Sequence, residues 1–136
     1  MKIVESAGLL IIQNNKMLLA HPVKKRLKYG TYTIPKGKLM KDETYLEAAI
    51  RETKEETGID IDINIIDKTP HVINYTDEDG TLYKTVTYFL VYPTEKIRIN
   101  KKNFDKHEID WVGFIDKSEG MMRIFWRFEE MLSYLK

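Results

Sequence analysis

Cysteine is absent from the 136 residues, which excludes disulfide staples and thiolate zinc sites. Long apolar runs are absent too. Near the N-terminus the longest is Leu9-Leu10-Ile11-Ile12, against the roughly 20 apolar residues that a membrane-spanning helix needs. No secretory leader pattern is visible, and a cytoplasmic protein without membrane association is the expectation. An excess of charge of one sign is also missing. With a net charge of +1, the chain has no global pull toward a nucleic acid polymer or an anionic membrane, and any attraction for a polyanion must be local. His21, His71 and His107 fall in separate segments without ligand spacing, which argues against zinc. Repeats and low-complexity tracts are lacking. What is there, 43% hydrophobic and 32% charged residues, is an ordinary globular composition. The length suits one domain, residues 1–136, with a real core.

The most informative stretch is Gly37–Ile59, GKLMKDETYLEAAIRETKEETGI. Thr44-x-x-Glu47 reads as a capping box and Gly58 as a C-terminal stop, so a helix lies between them. At ~100° per residue, Glu56 stands ~40° to one side of Glu52 and Glu55 ~60° to the other. Three carboxylates therefore share a face. Leu46, Ala49, Ile50, Thr53 and Thr57 form a core-facing stripe roughly 120° away. Glu52 and Glu56, four apart, repel by about 0.2–0.5 kcal/mol, and Lys54 points elsewhere. One reading is a solvated acidic helix face. The other is a set of oxygen ligands for a hard divalent cation, Mg2+ or Mn2+.

The spacing resembles the Nudix box, G-x5-E-x7-R-E-U-x-E-E-x-G-U with U aliphatic. Gly37, Glu43, Arg51, Glu52, Glu55, Glu56, Gly58 and Ile59 meet its positions. Thr53 departs, standing where an aliphatic residue is expected; it lies on the core-facing stripe, so the departure touches packing rather than chemistry. The resemblance is specific over residues 37–59 and weaker in the flanking strands. It implies an α+β fold, a three-layer α/β/α sandwich with a mixed sheet. It also implies hydrolysis of a nucleoside diphosphate linked to another moiety. Glu52, Glu55 and Glu56 would hold the metal with the Gly37 carbonyl. Arg51 would pair with Glu43 to steady the helix, although Glu47, four residues earlier, competes for it. A further acid is expected from a loop before the last strand. Glu108 is the candidate, with Asp105, Asp110 or a plain surface acid as alternatives. Glu52 or Glu108 would serve as general base.

Elsewhere, Ile3–Ile12 reads as a strand in which Gly8 marks a close backbone approach. Asn14-Asn15 turns it into a return strand, Lys16–His21. The segment from His21 to Gly30 carries Lys24, Lys25, Arg26 and Lys28; it is either a solvated surface loop or a phosphate-collecting rim. Thr31–Ile34 reads as a short strand, and Pro35 with Gly37 predicts a sharp turn. Lys36 and Lys38 put two cations beside the carboxylates, which favours a long phosphate chain. The Pro-Lys-Gly lead-in resembles Nudix groups acting on dinucleoside polyphosphates and diphosphoinositol polyphosphates.

The alternation of Ile59, Ile61, Ile63 and Ile65 predicts a strand. Val72–Tyr75 and Leu82–Tyr92 flank a hairpin turn at Asp77–Gly80. Lys84, Val86 and Tyr88 share one strand face. The run from Lys84 to Leu90 is similar to a segment of asymmetrical diadenosine tetraphosphate hydrolases, which implies Lys84 on phosphate and Tyr88 on adenine. A core role for Tyr88 is the alternative. Residues 93–103 include Ile97-Arg98-Ile99 as an edge strand. A loop, Phe104–Ile109, a strand, Asp110–Ile115, and a linker, Asp116–Gly120, follow. The stripe Met121, Phe125, Phe128, Leu132 and Leu135 predicts a closing amphipathic helix. The expected reaction is cleavage of diadenosine tetraphosphate to ATP and AMP by a monomer or homodimer. Nucleoside triphosphates, ADP-ribose and diphosphoinositol polyphosphates are alternative substrates. A nucleotide sensor without activity is disfavoured, because every box glutamate is present.

Overall fold

Strand β1 (Val4–Gln13) organises the molecule. Ala7, Leu9 and Ile11 bury on one face and Leu10 and Ile12 on the other, as expected of a strand covered on both sides. The computed structural model describes residues 2–100, 102 and 105–136. Among these, β2 (Lys16–Pro22), β3 (Lys36–Lys38), β4 (His71–Thr76), β5 (Leu82–Val91) and β6 (Ile109–Ile115) complete a mixed sheet. Its order is β4-β5-β1-β2-β6, with β3 also on β1. Only β1 and β5 run parallel; β4–β5, β1–β2, β1–β3 and β2–β6 are antiparallel. The Asn14-Asn15 turn has positive φ at both residues, the hairpin geometry that matches strand twist.

Helix α1 (Tyr45–Thr57) covers one face, where Ala48 and Ala49 pack on Ala7, Leu9 and Leu18. The C-terminal segment covers the other, placing Phe128 and Leu132 on Leu10, Val86 and Leu19. The three layers expected are present. Thr53 is fully buried, and its Oγ1 donates to the Ala49 carbonyl at 2.7 Å. That bond explains how a hydroxyl is tolerated where an aliphatic side chain was expected.

Five expected elements differ here. Residues Ile59–Ile65 are not a strand: Ile63–Ile65 is a 3-10 turn started by the Asp62 carboxylate, which accepts from Asn64 N at 2.9 Å. A side-chain acceptor here outcompetes the ladder. The closing helix is divided. Asp116–Gly120 is not a linker, because Asp116 caps a short α2 (Lys117–Arg123) by accepting from Glu119 N, and Trp126–Tyr134 is 3-10. The break follows from pairing, because Tyr32 N donates to the Arg123 carbonyl and Phe125 N to the Tyr32 carbonyl. Phe128, Leu132 and Leu135 are buried as the stripe requires, but Met121 is 68% exposed. Thr31–Ile34 makes only isolated bridges, at Tyr32 and Thr33. Ile97–Ile99 is not a strand. Asn103 and Phe104, where two expected loops meet, lie outside the described residues.

Candidate functional site

β3 and α1 meet through Gly37. Rather than a turn, Lys36-Gly37-Lys38 forms the strand β3, paired with Gly8, Ala7 and Ser6 of β1. Gly37 is needed for close approach, since a Cβ there would collide with the Glu52 carboxylate. Gly8 opposite is equally constrained, because the Pro35 carbonyl and the Lys36 Cβ occupy its side-chain space. The two glycines let β1, β3 and α1 lie close enough to bring Glu52 against the β3 backbone.

The helix start is fixed by Thr44, whose side chain accepts from Glu47 N while Glu47 accepts from Thr44 N. Glu47 is thereby engaged, and Arg51 goes to Glu43 through two bonds, Nε–Oε2 at 2.7 Å and Nη2–Oε1 at 2.9 Å. Arg51 also donates to the Lys38 carbonyl at 3.0 Å and to Glu52 at 2.7 Å. One guanidinium thus ties the loop before α1 to β3. Hydrogen bonds to Glu43 and then Glu52 hold Arg51 firmly charged.

The three box carboxylates do not converge. Glu55 is 53% exposed and lies 3.2 Å from Arg51, Glu52 faces Gly37, and Glu56 accepts from Lys36 N at 3.1 Å. Among the described residues, no three Asp, Glu or His side chains gather as a ligand set. The shared helix face expected from spacing is present: Arg51 Nη1 donates to Glu52 at 2.7 Å and to Glu55 at 3.2 Å, while Glu55 is the exposed member of the three. The donors nonetheless fit a hard cation. Burial raises the Glu56 carboxyl to about 8, helped by the charges of Glu52 and Glu108. Burial likewise raises Glu52, against the pull of Arg51. Two acids, Glu52 and Glu56, held above their usual range by burial and by neighbouring carboxylate charge, beside a backbone without a side chain, are donors that a divalent ion would relieve.

A consequence is testable without substrate. An acid whose folded pKa lies above its unfolded value near 4.5 loses stability as pH rises toward about 8. Glu56→Gln removes that loss. In metal-free buffer the variant should melt at least a few degrees above the wild type at pH 9, a difference of about 1–2 kcal/mol. The gap should close by pH 4.5. Parallel melting temperatures across that range would show that Glu56 is not strained.

Glu56, with Glu108, opens into a cleft of about 380 Å3 whose other walls are Lys24, Lys36, Lys38, Pro22, Thr33 and Ile109; Glu52 and Glu55 do not line it. A second hollow of about 260 Å3 shares Pro22, Thr33 and Lys36, and adds Lys25, Lys84, Tyr75 and Phe125. The two adjoin along Pro22, Thr33 and Lys36 as one groove: the acids line the first part, the aromatics the second, and lysines line both. Lys36 and Lys84 lie close enough to interact directly. Burial, then the charges of Lys36 and Lys38, push Lys84 down to about 8. Of the competing acids, Glu108 lines the cleft. Asp105 instead accepts from His107 N, and Asp110 pairs with His21 and Lys28.

Tyr88 departs from the adenine-stacking expectation. It is 2% exposed, stacks on His71 at 5.1 Å, and its hydroxyl lies 3.4 Å from that of Tyr134. The face it shares with Lys84 runs beneath the C-terminal segment, so only Lys84 reaches the groove. Tyr75 and Phe125 are the groove aromatics. They lie fifty residues apart in sequence, and no local pattern links them.

A NUDIX domain model matches residues 2–124. Among solved structures, an Ap4A hydrolase from C. elegans is 24% identical over 96% of this chain and 93% of its own, with a TM-score of 0.66. A bifunctional NMN adenylyltransferase/ADP ribose pyrophosphatase from Francisella tularensis, complexed with AMP and Mn ion, is 21% identical over 98% of this chain and 42% of its own, at 0.71. The E. coli dihydroneopterin triphosphate pyrophosphohydrolase is 16% identical over 98% and 97%, at 0.70. These identities carry the fold and leave the substrate open. No functionally curated protein matches in sequence. Among the described residues, no helix is long and apolar enough to cross a membrane. With the family model spanning β1 to the end of α2, and Gly37, Glu43, Arg51, Glu52 and Glu56 joined in one site, the chain belongs to the Nudix family and is a hydrolase of pyrophosphate bonds.

Proposed function

We propose that the enzyme hydrolyses dinucleoside polyphosphates, with diadenosine tetraphosphate cleaved asymmetrically to ATP and AMP. The observation that carries this reading is the groove itself. Lys24, Lys36, Lys38, Lys84 and Lys25 line it between Glu56 and Phe125, a run of positive charge suited to a long phosphate chain. Glu52, Glu56 and Glu55, with the Gly37 carbonyl, are the groups that would hold Mg2+ or Mn2+. When bound, such an ion neutralises phosphate charge and acidifies water. The chain's own residues supply the rest. Glu52, or else Glu108, takes the proton from the attacking water. The new P–O bond forms as the anhydride P–O bond breaks, and the leaving phosphate departs along the lysines. Phe125 and Tyr75 receive the nucleoside end, the part that the family resemblance implied for Tyr88.

Chromatographic analysis of products from a substrate panel tests the assignment. Diadenosine tetraphosphate should give ATP and AMP with the highest kcat/KM. A higher kcat/KM for ADP-ribose, a nucleoside triphosphate or a diphosphoinositol polyphosphate would replace it. The basic loop is tested separately. Because Lys24 and Lys25 line the two halves of the groove, K24E/K25E should raise KM about 5- to 30-fold with a smaller change in kcat. An unchanged KM would return these lysines to the role of solvated surface charge.

A further inference from the structure

We infer that His21, Asp110 and Lys28 form a clamp that positions Lys24 and Glu108 across the mouth of the carboxylate cleft; the inference rests on the hydrolase site proposed above. His21 is the last residue but one of β2, next to an irregularity in its pairing with β6 between His21 and Pro22, and its side chain is fully buried. A buried imidazole is tolerated only with its polar atoms satisfied. Nδ1 lies 2.7 Å from Asp110 Oδ1, and Nε2 lies 2.9 Å from the Leu27 carbonyl. Lys28 Nζ reaches the other Asp110 oxygen at 3.1 Å. Thr31 Oγ1 donates to the same Leu27 carbonyl at 2.7 Å. Tyr32 closes the pocket with its ring 4.8 Å from the imidazole.

What the clamp holds is a segment that cannot hold itself. Residues 23–30 are all exposed and without strand or helix, and few backbone hydrogen bonds fix them. A side chain from β2 and one from β6 therefore anchor the loop at Leu27 and Lys28. The loop's start is tied just beyond the two strands, where Val23 N, after β2, donates to the carbonyl of Glu108, before β6, at 2.8 Å. Lys24 is three residues beyond His21, and Glu108 two before Asp110. Both line one cleft with Lys36, Lys38 and Glu56, whereas His21 and Asp110 do not. A change in the clamp thus moves one cation and one carboxylate together. His21 and Asp110 are positioning residues.

His21→Gln retains a donor that can reach Leu27 and releases Asp110; Asp110→Asn leaves both side chains in place and removes the charge. Each should lower kcat/KM by about 10- to 100-fold, the usual effect of losing a supporting partner. The decisive readout is a double-mutant cycle. In a K24A/E108Q background, H21Q should cost less than about threefold, because the residues it positions are gone. A structural defect alone would cost the same in both backgrounds, and that result overturns the clamp. Calorimetric titration of inorganic tripolyphosphate into the metal-free protein reads Lys24 without turnover. H21Q should weaken binding as K24A does, and the two together should weaken it no further. If this non-additivity holds but no dinucleoside polyphosphate is cleaved, the clamp stands and the proposed substrate falls. If H21Q fails to fold, D110N carries the same cycle, and additivity there overturns the proposal.

Discussion

Glu56→Gln should lower kcat by about 10³-fold or more while leaving the fold intact. The amide keeps an oxygen where Glu56 accepts from Lys36 N at 3.1 Å, so the bond between α1 and β3 survives. Volume is unchanged, and a buried carboxyl already pushed up to about 8 is replaced by a neutral group. What disappears is one negative oxygen donor at the cleft. A loss of several kcal/mol in transition-state stabilisation is on the scale of a bound ion's contribution. Steady-state kinetics with Mg2+ beside a melting curve separates the two effects. Near-normal turnover in a variant that melts no lower than the wild type would end the assignment of Glu56 as a metal ligand.

Gly37→Ala should also disable the enzyme without unfolding it. The methyl group would occupy the place of the Glu52 carboxylate, and the yielding partner is the far end of a flexible side chain. Glu52 moves, its 2.7 Å bond to Arg51 is disturbed, and the strand pairing of Gly37 with Ala7 remains. Displacing a reactive group by about 1 Å commonly costs on the order of 10²-fold in rate, and this is the loss expected. The melting temperature should fall by no more than a few degrees, since no core side chain is removed. Wild-type kcat in G37A would mean that the packing of Glu52 on Gly37 is not the working arrangement.

Local elements were legible where neighbours in sequence decide them. The capping box, the glycine stop and the Asn14-Asn15 hairpin rest on residues within four positions of one another, and each is found as expected. Periodicity alone misled at Ile59–Ile65, because alternation also suits an extended path that Asp62 then turns. It misled again at the C-terminus, where the stripe was right about burial but blind to Tyr32, which captures the backbone between Arg123 and Phe125.

From the chain alone came a helix presenting Glu52, Glu55 and Glu56 and a lysine on either side of Gly37, because spacing along a backbone dictates those relations; spacing pointed Arg51 to Glu47, and its pairing with Glu43 was implied by the family resemblance. Only the folded molecule decided that Glu55 turns to Arg51 while Glu52 lies on Gly37, that Tyr88 is core, and that Lys84 and Phe125 border one groove. These outcomes depend on the pairing of β3 with β1 and on the C-terminal segment crossing the sheet. Contacts between residues dozens of positions apart are selected by packing of the whole, which no local pattern encodes.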